Sequence, residues 1–254
     1  MSEPARSLRV LLTHLIDYAG LYPPASLPIA EVAARYESYA ASADGWILNR
    51  LVLPAAHLAE VKPSWRVALL VDRDPGAVPT AIEAFETRLP RRLSLPTYCE
   101  TPLNEVPYEA YAKVRTGGLT PDAIPSSRAL GEFIFEAARR PNAFKATAGL
   151  HHPIRSERAL TYATDSPRGV MHGFLNVFLA AVFAWHGADY PRIAAIVDET
   201  DPCAFEFLDG EVRWRGNLVT TEQIARARRD FAHSFGSCSF EEPIADLRQL
   251  RLLP

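Results

Sequence analysis

The chain predicts an α/β fold, a single (β/α)8 TIM-type barrel spanning residues 1–254. Three observations carry that expectation. Short apolar runs alternate with longer segments of helical period, the pattern of βα units around a parallel sheet. The length matches one barrel of this type. Hydrophobic residues make up 48% and charged residues 22%, which supplies a large core and excludes a disordered chain.

The expected strands are residues 15–19, 47–53, 66–71, 93–99, 110–115 and 143–148, with a seventh near 204–208 and an eighth near 234–239. Helices fall between them. Residues 29–41 carry Val32, Ala33, Tyr36 and Tyr39 at helical spacing. Residues 79–89 put Ile82, Phe85 and Leu89 on one helical face, and residues 127–140 do the same with Leu130, Phe133, Ile134 and Ala137. Residues 169–186 are apolar almost all round and predict a long buried helix. Residues 221–234 predict an amphipathic helix, with Thr220 and Gln223 as a capping box at its start; Ser239 and Glu242 suggest another. One region departs from the barrel pattern. Asp209-Gly210 sits between the alternating runs Phe205–Leu208 and Glu211–Trp214, which predicts a β-hairpin near 204–214. It is either an arm of strand seven or an insertion.

Composition narrows the function classes. A net charge of −3 argues against a nucleic-acid binder. The longest apolar run, 174–185, is interrupted by Asn176 and is too short to span a bilayer, and the N-terminus is a poor signal peptide. Cys99, Cys203 and Cys238 are odd in number and far apart, which predicts free thiols and a cytoplasmic location. The expected partner is a small anionic molecule, with no nucleic acid and no membrane. A homo-oligomer is compatible with the sequence.

Of 27 basic residues only Lys62, Lys113 and Lys145 are lysines. An amine desolvated at the end of a buried strand can lose its charge and act as a nucleophile, which an arginine cannot do. Side chains alternate along a strand, so Lys145, Thr147 and Gly149 share one face and Phe144, Ala146 and Ala148 the other. The apolar set faces the helices and Lys145 faces the interior. By the same parity Lys113 and Arg115 face inward on the preceding strand. Neighbouring strands lie about 4.8 Å apart, so these cations would crowd, and repulsion would lower the pKa of a lysine among them. Lys145 would alternatively be a static charge paired with an acid.

Barrel active sites lie at the C-terminal ends of the strands. Those ends place Asp17, Arg50, Glu100, Arg115, Lys145 and His151 around one expected cavity. Lys145 is the candidate nucleophile; His151, Asp17 and Glu100 are candidate proton carriers. Arg50, Lys113, Arg115 and Thr147 are candidate substrate contacts. Gly117, Gly118, Ser237 and Ser239 lie in loops that could present N–H groups to an anion. Cys238 is a minor nucleophile candidate with no histidine beside it in sequence.

The segment Lys145-Ala146-Thr147-Ala148-Gly149 resembles the K-T-S-T-G strand end of deoxyribose-phosphate aldolases and related class I aldolases. The resemblance implies lyase chemistry through an imine on Lys145, with no cofactor. In that family the lysine lies on the sixth strand, where the expected strand count also puts Lys145. The family carries a second lysine on the seventh strand, and no lysine follows Lys145 here. Residues 145–150 are also similar to the K-T-T-P-G-L segment of quinolinate phosphoribosyltransferases, with His172 standing for their histidine.

Two alternatives belong to other classes. A metal-dependent hydrolase or lyase would hold a divalent ion with His151 or His152, with His172, and with a carboxylate. A barrel that binds a ligand or partner without turnover needs no chemistry from Lys145.

Overall fold

The structure, a computed structural model, describes residues 3–140 and 142–254. Seven parallel strands follow one another along the chain: β1 (Ile16–Tyr18), β2 (Leu48–Pro54), β3 (Val67–Leu70), β4 (Ile82–Thr87), β5 (Thr97–Glu100), β6 (Tyr111–Arg115) and β7 (Phe144–Thr147). A two-stranded antiparallel hairpin follows, β8 (Ser156–Ala159) with β9 (Arg168–Met171). Next comes a three-stranded antiparallel sheet of β10 (Phe205–Phe207), β11 (Glu211–Trp214) and β12 (Asn217–Thr220). The last strand, β13 (Ala232–Ser237), pairs in parallel with both β7 and β1 and closes an eight-stranded barrel. The fold is the expected (β/α)8 barrel, with the expected hairpin outside it.

The helical layer is uneven. Helix α1 (Arg6–Leu12) precedes β1, α2 (Ile29–Ala40) joins β1 to β2, and α3 (Ser127–Ala138) joins β6 to β7. Helices α4 (Phe174–Trp185), α5 (Tyr190–Asp198) and α6 (Thr221–Asp230) lie between β7 and β13, and α7 (Glu241–Gln249) follows. From β2 to β6 the crossovers carry no regular α-helix. Loop residues Leu93, Leu95, Leu103 and Val106 pack against the core there instead. Helix α4 is buried on every side except at Trp185, because it lies between the barrel and α3, α5 and α6. Its Phe174 and Phe178 meet Phe235 of β13 at ring distances of 5.3 and 6.0 Å. No helix among the described residues is long and apolar enough to cross a membrane.

Five local expectations are corrected. Within residues 79–89 the chain forms strand β4, Ile82–Thr87, and no helix. The 3.6-residue spacing of Ile82, Phe85 and Leu89 is also compatible with a strand that buries Ile82, Ala84, Phe85 and Glu86. The glutamate's charge masked that burial. With β4 counted, Lys113 lies on the sixth barrel strand and Lys145 on the seventh. The 204–208 run is an arm of the outer sheet, not barrel strand seven. The helix expected over 169–186 begins only at Phe174, because Arg168–Met171 pairs with β8. The helix expected over 221–234 stops at Asp230, since residues from Ala232 onward join the barrel. The Thr220–Gln223 capping box is present in both directions, and Ser239 Oγ accepts the Glu242 N–H at 3.2 Å.

Candidate functional site

The side-chain parity of β7 is as expected. Phe144 and Ala146 are buried outward, where Phe144 packs on Phe133, Phe178 and Phe231. Lys145 points inward and only 1% of it is exposed. Its Nζ donates to Asp17 Oδ2 at 2.5 Å and to Glu86 Oε1. Lys113 stands opposite it in register on β6, with its Nζ 2.7 Å from Glu86 Oε2 and 3.6 Å from Glu100 Oε2. Arg115 extends the row at 3.7 Å from Glu100. The interior thus holds a chain of alternating charges: Asp17, Lys145, Glu86, Lys113, Glu100, Arg115.

That alternation reverses the expected electrostatics. Burial by itself lowers a lysine's pKa, but Asp17 and Glu86 outweigh it and hold Lys145 well above its ordinary value. Glu86 is buried too, which alone would raise its pKa; Lys113 and Lys145 instead bring it down to about 2. The expected crowding of cations does not occur, because a carboxylate lies between each pair. Lys145 is therefore a protonated, doubly paired cation.

Above this chain lies a cavity of about 350 Å3 at the C-terminal ends of the strands. Of the expected cavity residues, Glu100, Arg115, Lys145 and His151 line it, together with Lys113, Thr147 and Gly118. Asp17 and Arg50 do not. Asp17 is fully buried below Lys145, where it also accepts from Asn49 Nδ2, Ser234 Oγ and the Arg50 N–H. The Arg50 guanidinium faces the N-terminal end and binds Glu83 at 3.0 Å, because Arg50 stands in the first half of β2, away from the mouth.

The expected anion loops are tied up in packing. Gly149 has φ +83°, and a Cβ there would come within 2.7 Å of the Gly117 Cα. The two glycines therefore let the β6 and β7 ends touch, and Gly117 stays off the cavity wall. Ser237 Oγ donates to the Ser239 carbonyl at 2.6 Å; neither serine lines the cavity. The three histidines of the metal alternative do not converge. His151 Nδ1 is 2.8 Å from Glu242, His152 Nδ1 is 2.7 Å from Asp246, and His172 Nε2 is 2.8 Å from the Pro125 carbonyl. Among the described residues no group of three or more His, Cys, Asp or Glu side chains is arranged to hold a metal ion.

Two residues, Glu86 and Arg88, and one pairing, Cys238 with His151, are not legible in the sequence. Glu86 was hidden in a segment of helical period. Arg88, just past the end of β4, lines the cavity for the same reason. Cys238 lies 3.9 Å from His151 Nε2 although 87 positions separate them; only the closure of the barrel by β13 brings them together. Comparisons with protein-family models, with curated proteins and with solved structures gave no significant match.

Proposed function

We propose that the protein is a lyase of the aldolase type, acting on a small anionic carbonyl compound through a lysine imine. One observation carries the reading. Lys113 and Lys145 stand opposite each other on β6 and β7 with Glu86 between their amines, at the floor of the strand-end cavity. In this reading the attacking amine is that of Lys113. Lys145 is locked between Asp17 and Glu86 and keeps its proton, so its part is to hold Glu86 ionised beneath the reacting amine.

Glu100, 3.6 Å from Lys113 Nζ and facing the cavity, accepts the amine's proton as the nitrogen adds to the carbonyl carbon. Glu100 passes the protons shed by the nitrogen to the carbinolamine oxygen, which leaves as water. The iminium ion then takes up the electron pair of the Cα–Cβ bond while Glu100 accepts the β-hydroxyl proton, and the β fragment leaves as an aldehyde. Arg115 and Arg88 on the wall meet the substrate's carboxylate or phosphate. The reading needs no cofactor.

Borohydride reduction in the presence of 2-oxo acids or phosphorylated aldehydes tests it. The expected result is a reduced adduct on the peptide containing Lys113, absent from Lys113→Met. An adduct on Lys145 would move the nucleophile one strand over. Complete absence of adducts across both substrate classes would remove the imine reading.

A further inference from the structure

The wall of the cavity carries a second arrangement, which the imine reading does not use. Cys238 follows the last residue of β13 and His151 lies in the loop after β7; both line the cavity. Cys238 Sγ is 3.9 Å from His151 Nε2, and His151 Nδ1 is 2.8 Å from Glu242 Oε2 on α7. The Tyr162 hydroxyl, from the loop between β8 and β9, donates to the same Glu242 oxygen at 3.2 Å and lies 3.7 Å from Cys238 Sγ. Sulfur, imidazole and carboxylate are thus in line, with each imidazole nitrogen facing one of its neighbours.

Burial would lower the pKa of His151, but its contacts with Cys238 and Glu242 outweigh that and bring it up to about 9. The sulfur and the carboxylate on either side thus favour the charged form of the imidazole. Glu242 fixes which ring nitrogen faces the sulfur, the part a carboxylate plays in nucleophile–base–acid triads. Reduced free thiols make the sulfur available, since Cys238 has no disulfide partner.

We infer that Cys238, His151 and Glu242 form a nucleophilic triad that accepts an acyl group from an ester or thioester bearing a second, anionic end. Cys238 Sγ attacks the acyl carbon, and the S–C bond forms. The bond to the leaving alcohol or thiol breaks, and the leaving group takes its proton from His151. Water then attacks the acyl carbon and gives a proton to His151; the S–C bond breaks, its electron pair returns to Cys238 Sγ, and the acid is freed. Lys113, Arg115 and Arg88 on the same cavity supply the positive surroundings for the anionic end. The inference does not rest on the imine reading, because no lysine takes part in bond making.

Rapid mixing with p-nitrophenyl acetate and with p-nitrophenyl hydrogen succinate tests it on the full chain. The expected result is a burst of p-nitrophenolate with the acyl group on the Cys238 peptide by mass mapping. The burst is lost in Cys238→Ser and slowed about a hundredfold in His151→Asn. Glu242→Gln, which keeps the side chain's shape, also slows it and serves as the second variant should His151→Asn fail to fold. The succinate ester should acylate several-fold faster than the acetate. Acylation at Cys203 or at lysines with Cys238 untouched would overturn the triad, as would an unchanged burst rate in both His151→Asn and Glu242→Gln. Equal rates for the two esters would overturn the anionic substrate class.

Discussion

The two ends of the barrel interior are both rich in charge, yet they hold it differently. At the C-terminal end, side chains neutralise side chains: Lys145 and Lys113 sit among Asp17, Glu86 and Glu100, below an open cavity. At the N-terminal end, one cation is held by backbone carbonyls and two by a shared carboxylate. Arg228 of α6 donates to the carbonyls of Leu11, Thr13, His14, Ala232 and His233, while Arg50 and Arg66 share Glu83. Carbonyls do not titrate or leave, so Arg228 is a fixed brace at the lower end. Carboxylates and amines exchange protons, so the upper end has the means for chemistry. The contrast matches the division of labour common to barrels, with stability below and activity above.

The largest expected effect tests the upper charge chain. Lys145→Met strands Asp17 and Glu86 in the interior, and loss of one partner from a buried ion pair costs about 3–5 kcal/mol. Urea unfolding of that variant, and of Lys145→Met with Glu86→Gln, should show the second change restoring part of the loss. A single-variant loss below about 1 kcal/mol, in the range of an exposed pair, would remove the contrast between the two ends.

Next in size are two opposite pH limbs, one from each end. His233 lies at the lower end, where burial and then Arg228 bring its pKa from 6.5 down to about 4. A depressed base leaves the fold at full strength above pH 6.5. Stability then falls as pH drops through 4, by up to roughly 3 kcal/mol. His151 lies at the upper end with its pKa raised to about 9. Its contribution is complete below pH 6.5 and is lost as pH rises through 9, by a similar amount of roughly 3 kcal/mol. Unfolding midpoints followed from pH 4 to 9 should flatten on the acid side in His233→Gln and on the alkaline side in His151→Asn. If each variant flattened the other limb, the assignment of the two ends would be reversed.

A smaller loss is expected from the brace itself. Arg228→Met leaves carbonyls without their donor and should cost about 1–3 kcal/mol. Acylation of Cys238 and borohydride trapping should keep their wild-type rates in the folded variant. A large drop in either would mean that the lower end shapes the cavity above it. The smallest effect on stability belongs to Arg115→Ala. Arg115 is 57% exposed with one long pair to Glu100, so the change should stay within about 0.5 kcal/mol. The concentration of anionic carbonyl compound needed for half-maximal trapping should nevertheless rise several-fold. Unaltered trapping would take Arg115 out of the substrate's path.

Much of the scaffold was legible because it is written locally. The inward direction of Lys145 and outward direction of Phe144 follow from the two-residue period of a strand. The Thr220 capping box and the Asp209-Gly210 turn follow from contacts a few residues apart. Strand β4 looks helical in the sequence because its buried glutamate and its apolar spacing fit a helix as well as a strand. The end of the barrel that Arg50 faces is not legible, because the sequence does not say how high along β2 it stands relative to its neighbours.

What the sequence determined by itself was therefore the barrel, the hairpin outside it and the face on which the two inner lysines stand. Tertiary structure alone decided what those lysines meet. Asp17 reaches Lys145 across 128 positions and Glu86 across 59, and together they hold it as a cation rather than a free amine. Cys238 reaches His151 across 87 positions only because β13 inserts between β7 and β1. Period and propensity act over a few residues. Ion pairs and triads form between strand neighbours, which are fixed by the order and register in which the whole sheet closes.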